Sequence, residues 1–426
     1  MDILFENARI LTMDDDAPYI ENGYIGVEGR KIKYVGKERP TDEAKRTINA
    51  SGKVIMPGII NTHTHIPMTL FRGLSDDCEL DVWLNQHIWP AEDKLTDESV
   101  SAGTSLAVAE MLASGTTSFS DSYFFTDAIA DVVESSGIAA NLSRSIIGSG
   151  EDFENMPSVA EAKRLIERFH MADEGRIRAD VSIHAEYTTE TKCRIKTAEL
   201  AKENNLILQI HTSETEGEHE RCIEKYGKTP IKLFESEGLF EGTRPLLAHC
   251  CYITENDMDI INANGGSVAH CPISNLKLAS GVAPVLEMLK KGVNVTLATD
   301  GVASNNNTDM FEEMKLFSIL HKGISRNPTA IDAMQAIKTA TVNGARAQGR
   351  DDAGKIKTGF VADMIMLDFD KVHLTPCYNV ASNLVYAASG RDVVLTMVNG
   401  KILYENGAFM TIDIERAKYN VSRFMA

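Results

Sequence analysis

From residue 58 to about 350 the sequence alternates short β-type runs with longer helical ones. The β candidates are residues 116–121, 139–144, 180–184, 206–211, 245–249, 267–270 and 293–300. Helix-like stretches at 100–112, 159–169, 191–203 and 283–290 lie between them. With the apolar run 54–60 that leads into Asn61-Thr62-His63-Thr64-His65, this makes eight βα-type units. A (β/α)8 TIM-like barrel is the natural closure of such a series. Several of the strands end in His, Asp or Arg. A barrel lines its active site with the carboxyl ends of its strands, whereas a doubly wound open sheet gathers its ligand at one switch point. The polar ends here are spread along the whole region, which favours the barrel.

The flanks read differently. Residues 1–57 hold short strand candidates, with Glu28-Gly29-Arg30 as a hairpin-like turn between two of them. Residues 351–426 return to short strands, with an Asn399-Gly400 turn and a helical stretch at 413–425. The expected organisation is a small β-sandwich domain built from both chain ends (1–57 and 351–426) around a catalytic barrel at 58–350.

Composition excludes several function classes. The formal net charge of -18 argues against a broad nucleic-acid or anionic-membrane surface, but not against a nucleotide-sized ligand in a pocket. No run approaches the length of a membrane span. The start of the chain lacks the basic-then-apolar order of a secretory signal. Seven cysteines, odd in number and with Cys250 and Cys251 adjacent, do not form a disulfide framework and suit a cytoplasmic location. There is no Gly-x-Gly-x-x-Gly, Walker-type loop or Gly-x-Ser-x-Gly elbow. His184-Ala185-Glu186 mimics the His-x-Glu of small zinc nucleobase deaminases, but Pro376-Cys377 lacks the second cysteine of that signature.

The histidines carry the chemistry. Of eleven, five fall at strand ends: His63, His65, His184, His211 and His249, with His270 ending a weaker candidate. Side chains alternate along a strand, so His63 and His65 point the same way and make half of a metal site. Asp300 closes an apolar strand before a glycine and should face the barrel mouth. His63, His65, His211 and Asp300 offer three nitrogens and a carboxylate oxygen. That set suits one divalent ion, zinc first, with ferrous iron and manganese as alternatives. The central strand at 181–183 has no lysine to bridge a second metal. Glu214 can fold back over the metal and carry a proton between water and substrate. His249 can orient the water and stabilise developing charge.

These residues resemble the amidohydrolase superfamily, and more narrowly its aminohydrolase branch. The resemblance rests on Asn61-Thr62-His63-Thr64-His65, His211-Thr212-Ser213-Glu214-Thr215, His249-Cys250 and Thr299-Asp300-Gly301. Within that branch, Pro67–Gly73, Trp89–Thr96 and the segment from His270 to Gly281 are most similar to methylthioadenosine/S-adenosylhomocysteine deaminases. The resemblance implies deamination at C6 of an adenosine-type nucleoside. Glu214 would serve the purine N1, with His249 and Asp300 handling the protons of the attacking water. Glu92 would accept hydrogen bonds from the ribose hydroxyls, His184 would contact the purine, and Arg144 would lie near the substrate tail. It also implies homo-oligomers. The loop 148–155 is acidic and lacks the second arginine that accompanies good S-adenosylhomocysteine binding in the branch. This favours methylthioadenosine, adenosine or 5′-deoxyadenosine. A different ring (guanine, a pterin, a cytosine-like or chlorotriazine substrate) is the enzymatic alternative, and a catalytically silent metal-binding scaffold the alternative from another class.

Overall fold

The computed structural model describes residues 1–424. Met425, the last position of the expected terminal helix, and Ala426 lie outside the described residues. Parallel strands form the barrel wall: β1 (Ile59–Thr64), β2 (Thr116–Tyr123), β3 (Ala139–Ile146), β4 (Ile177–Ala179 and Val181–Ile183, interrupted at Asp180), β5 (Ile207–Thr212), β6 (Arg244–His249), β7 (Ser267–His270) and β8 (Asn294–Leu297). They pair in sequence order from β1 to β8.

Closure between β8 and β1 uses side chains as well as backbone. Thr62 Oγ1 meets Thr296 Oγ1 at 2.6 Å and donates to the Leu297 carbonyl at 3.0 Å. Asn61 Nδ2 donates to Thr299 Oγ1 (2.7 Å), and Thr299 N–H returns a bond to Asn61 Oδ1 (3.1 Å). Asp300 N–H then donates to the His63 carbonyl at 3.0 Å.

Strand parity sorts the side chains. One face of each strand packs outward under the helices, where Ile183, Leu208, Ile210, Leu247, Val268 and Val295 share a buried core with Phe234, Ile261, Met288 and Phe317. Each such burial contributes about 1.5–3 kcal/mol. The inward face is polar: Asn141 and Gln209 both donate to Asp180, and Ser122 and Ser182 meet at 2.6 Å. Buried Arg350 seals the amino-terminal end by donating to the carbonyls of Ala140, Gly175 and Arg176 and to the side chains of Asn141 and Gln348.

Strands from both chain ends pair in one further nine-stranded mixed sheet. Ile3–Leu11 lies beside Lys53–Pro57, which pairs with Met364–Asp368 and so joins the two ends. The sheet curls over its own core, in which Phe5, Ile25 and Val27 meet Met364, Leu395 and Met397. The expected turn is present between Val393–Val398 and Lys401–Glu405, with Asn399 and Gly400 both at positive φ (52° and 74°). Among the described residues, no helix is long and apolar enough to cross a membrane.

One strand is shorter than the sequence suggests. β8 stops at Leu297, and Asp300 follows in a left-handed turn with φ 63°. The backbone bond to His63 holds it there, so the carboxylate turns inward over β1 instead of continuing the strand.

Candidate metal centre

Four imidazoles and a carboxylate converge at the barrel mouth. The His63 ring centroid lies 4.9 Å from that of His65, 4.8 Å from His211 and 5.6 Å from His249. Asp300 Oδ1 is 3.5 Å from His63 Nε2 and 3.4 Å from His65 Nε2. All five side chains descend from carboxyl ends of strands or the turns that follow them.

Second partners fix the tautomers. His65 Nδ1 faces the Ser122 carbonyl at 2.7 Å, and His211 Nδ1 faces the His184 carbonyl at 2.7 Å. A carbonyl only accepts, so each Nδ1 carries the proton and each Nε2 presents a lone pair. These two Nε2 atoms lie 3.1 Å apart. His63 Nε2 is buried with no hydrogen-bond partner. Facing lone pairs and an orphaned buried nitrogen are costly in a protein interior unless a cation lies among them. The donor set therefore fits a divalent metal ion of the nitrogen- and oxygen-loving kind. Burial pushes His63 down to about 4 and lowers His65 and His211, which keeps the imidazoles neutral and able to ligate. Burial alone would raise Asp300, but the adjoining His63, His65 and His249 hold it well below the usual carboxylate range.

Glu214 and His249 stand beside this set, with Glu214 Oε2 3.8 Å from His249 Nε2. Burial raises the Glu214 carboxyl above the ordinary carboxylate range, as suits a group that handles protons. Burial opposes charge on His249, yet Glu214, Asp300 and Asn275 together shift it upward. Asn275 Oδ1 accepts from His249 Nδ1 at 2.8 Å, which leaves Nε2 toward the cleft. Ser280 Oγ donates to Glu214 Oε1 (2.9 Å), while Ser274 Oγ and Ser304 Oγ donate to Asp300 Oδ2 (2.7 and 2.9 Å). Ser274, Asn275 and Ser280 lie in the 270–281 segment that carried the resemblance, but no individual role was read for them there, and Ser304 was not singled out.

A cleft opens from this centre. His184 lines it, with Nδ1 3.0 Å from Thr188 Oγ1. The far wall comes from the turn of π-helix Trp83–Ile88 and the short helix Trp89–Glu92. Trp83 is buried and Trp89 partly exposed, and both line the cleft. Glu92 lines it too, and buried Tyr123 donates its hydroxyl to Glu92 Oε1 at 2.6 Å. Burial pushes the Glu92 carboxyl up to about 7.

Two residues stand apart. Arg144 is not brought into the cleft lining. Its Nε donates to Glu161 Oε2 (2.6 Å), Nη1 donates to the Ser145 carbonyl, and the guanidinium lies 4.7 Å from the Phe124 ring centre. The reason is parity: on β3 the neighbours Ser143 and Ser145 face inward, so Arg144 faces the helices. His270 faces His321 (Nε2 to Nε2, 3.4 Å) and Phe317, away from the cluster.

The comparisons with known proteins agree with this geometry. A family model described as the amidohydrolase family matches residues 54–403. The 5′-deoxyadenosine deaminase of Methanosarcina mazei is 46% identical over 97% of this chain and 95% of its own length. The 5-methylthioadenosine/S-adenosylhomocysteine deaminase of Thermoanaerobacter pseudethanolicus is 41% identical over 99% of this chain and 98% of its own. A solved adenosine deaminase from Xanthomonas campestris with bound zinc superimposes with a TM-score of 0.93 at 33% identity, covering 100% of this chain and 98% of that one. With a barrel mouth that gathers its histidines and aspartate and a family match across most of its length, this chain belongs to the amidohydrolase family.

Proposed function

We propose that this protein is a metal-dependent deaminase of adenosine-type nucleosides. It replaces the 6-amino group with oxygen from water and releases ammonia. The observation that carries the reading is one cleft with a metal donor set and two proton-handling side chains at its base, and a lone carboxylate, Glu92, on its far wall. The relatives named above bear names that specify the same chemistry.

His63, His65, His211 and Asp300 would hold the ion. Bound there, it would lower the pKa of a water toward neutrality and supply the nucleophile. The rest falls to the chain. Asp300 Oδ1, 3.5 Å from His63 Nε2, and His249 Nε2, 3.8 Å from Glu214 Oε2, would orient the attacking water and take its proton. Glu214, held by Ser280, presents a proton to the ring nitrogen beside the attacked carbon. Protonation there makes C6 electrophilic, and a second transfer to the exocyclic nitrogen lets ammonia leave. Glu92 accepts from the ribose hydroxyls as an anion, while Tyr123 occupies one of its oxygens. His184 contacts the purine edge.

The preferred substrates carry no carboxylate at the 5′ end: 5′-deoxyadenosine, methylthioadenosine and adenosine. Leu84, Phe124 and Ile147 add apolar surface to the cleft lining, and Arg144 is already paired with Glu161. Ammonia release from the zinc-loaded protein, measured on these three nucleosides beside S-adenosylhomocysteine, guanine and cytosine, tests the reading. Turnover of the first three, with S-adenosylhomocysteine slower, is the expected result. Turnover of guanine or cytosine alone refutes the nucleoside assignment and keeps the metal site.

A further inference from the structure

One short segment touches all three proton-handling side chains. It runs from the helix Pro272–Lys277 through Leu278 and Ala279 to Gly281. Ser274 donates to Asp300 (2.7 Å), Asn275 accepts from His249 (2.8 Å), and Ser280 donates to Glu214 (2.9 Å). The groups they hold come from the turn after β8, the last residue of β6 and the turn after β5, and share no strand. We propose that residues 272–281 act as a single positioning brace that sets the mutual geometry of Asp300, His249 and Glu214. The proposal rests on the deaminase reading, which gives those three groups their roles.

The brace is tied to itself and to its surroundings. Ser280 N–H donates to the Asn275 carbonyl at 2.8 Å, so the residues on Glu214 and His249 are linked through one backbone bond. Leu278 N–H donates to the Ser274 carbonyl at 2.9 Å, which links the residue on Asp300 to the same turn. Ser274, Asn275 and Ser280 are all buried. At the start of the segment, Glu313 on the helix Met310–Ser325 accepts from Ile273 N–H (3.3 Å) and from Asn305 Nδ2 (2.5 Å). At its end Gly281 sits at φ 142°, where a Cβ would meet the Tyr252 ring at 2.8 Å. Tyr252 N–H in turn donates to the Ser213 carbonyl at 3.1 Å, next to Glu214. The segment is therefore held at its start by the helix Met310–Ser325 and packs closely at its end against Tyr252, whose backbone is bonded beside Glu214. Leu278 also lines the cleft, so the brace forms part of its wall.

A buried rigid unit predicts a specific pattern. Removing one contact should disturb the reaction geometry more than substrate binding or metal retention, and two removals should not multiply. The test uses full-length zinc-loaded protein with 5′-deoxyadenosine as substrate, and follows kcat, KM, zinc per chain and the melting temperature. Ser280→Ala and Asn275→Leu should each lower kcat by roughly ten- to a hundredfold, the usual consequence of losing a hydrogen bond to a charged group. KM should stay within about twofold and zinc should stay at the wild-type level, since neither residue enters the metal donor set. The double variant should be no more than about threefold worse than the poorer single one. Should Ser280→Ala fail to fold, Ser280→Cys keeps the volume with a weaker donor and should give a smaller fall in kcat. Unchanged kcat in the single variants, or a double variant whose loss equals the product of the two, overturns the brace. Wild-type protein that releases no ammonia from the nucleoside overturns the deaminase reading instead.

Discussion

Glu92 offers a test in which stability and binding must move in opposite directions. Its carboxyl sits at about 7 against an ordinary value of 4.5, because burial in the cleft wall disfavours the anion more than the Tyr123 hydroxyl favours it. Between those values the folded state binds more protons than the unfolded chain, so stability falls as pH rises. The contribution is fully present below pH 4.5 and is lost as pH passes about 7. The difference, 7 − 4.5 ≈ 2.5 pH units at ~1.4 kcal/mol each, comes to roughly 3 kcal/mol, which solvent access at the cleft reduces to about 2 kcal/mol. Glu92→Gln removes the titration and keeps an acceptor for Tyr123. At pH 8.5 it should therefore raise Tm by roughly 2–4 °C, and near pH 4.5 the two proteins should melt together. The same change replaces a charged acceptor for the ribose hydroxyls by a neutral one, so KM for 5′-deoxyadenosine at pH 8.5 should rise about ten- to a hundredfold. Thermal melts across pH 4.5–8.5, beside steady-state kinetics, read both effects. A Tm difference that does not change with pH refutes the titration argument. An unchanged KM refutes the ribose contact.

Three further outcomes follow from the site. Chelation should lower the melting temperature of the wild-type protein, by about 3 kcal/mol of stability when free zinc stood near a hundred times its Kd; His63→Ala should contain no zinc and should melt alike with and without chelator. Glu214→Gln should lower kcat by about 10²–10⁴ while zinc content holds, and a loss confined to KM would remove Glu214 from the chemistry. Arg144→Ala should cost about 2 kcal/mol in a denaturant melt by stranding the half-buried Glu161 carboxylate, yet leave the rate ratio of 5′-deoxyadenosine to S-adenosylhomocysteine unchanged; a ratio that shifts against the carboxylate-bearing substrate would place Arg144 at the tail after all.

The residues that converge at the barrel mouth were legible because each closes an apolar run, and a barrel gives such positions one destination. His63 and His65 needed only the two-residue repeat of a strand. Asp300 was legible as to destination but not as to path: its left-handed turn depends on a bond to β1, far away in sequence. Arg144 shows what a motif match omits. Its position in the chain suggested the cleft, but β3 alternates, and Ser143 and Ser145 hold the inward face. The individual roles of Ser274, Asn275, Ser280 and Tyr123 were not legible, for a different reason. A hydroxyl or amide in a loop has many local uses, and which one it serves depends on groups from other strands. The small sheet was foreseen from both ends, though the sequence pattern does not show that Lys53–Pro57 and Met364–Asp368 are the pair that joins them.

The seam that closes the barrel has a consequence for how the chain acquires its shape. Asn61 and Thr299, which bond across it, are 238 positions apart, so this is among the last contacts a growing or refolding chain can make. His63 and His65 lie on one lip of that seam and Asp300 on the other. A cation that binds all three recognises only the closed ring, and its binding free energy adds to the stability of the ring and not to that of the open chain. Metal loading would thus report closure: an incompletely wound barrel separates its first and last strands, and with them the side chains that would hold the ion.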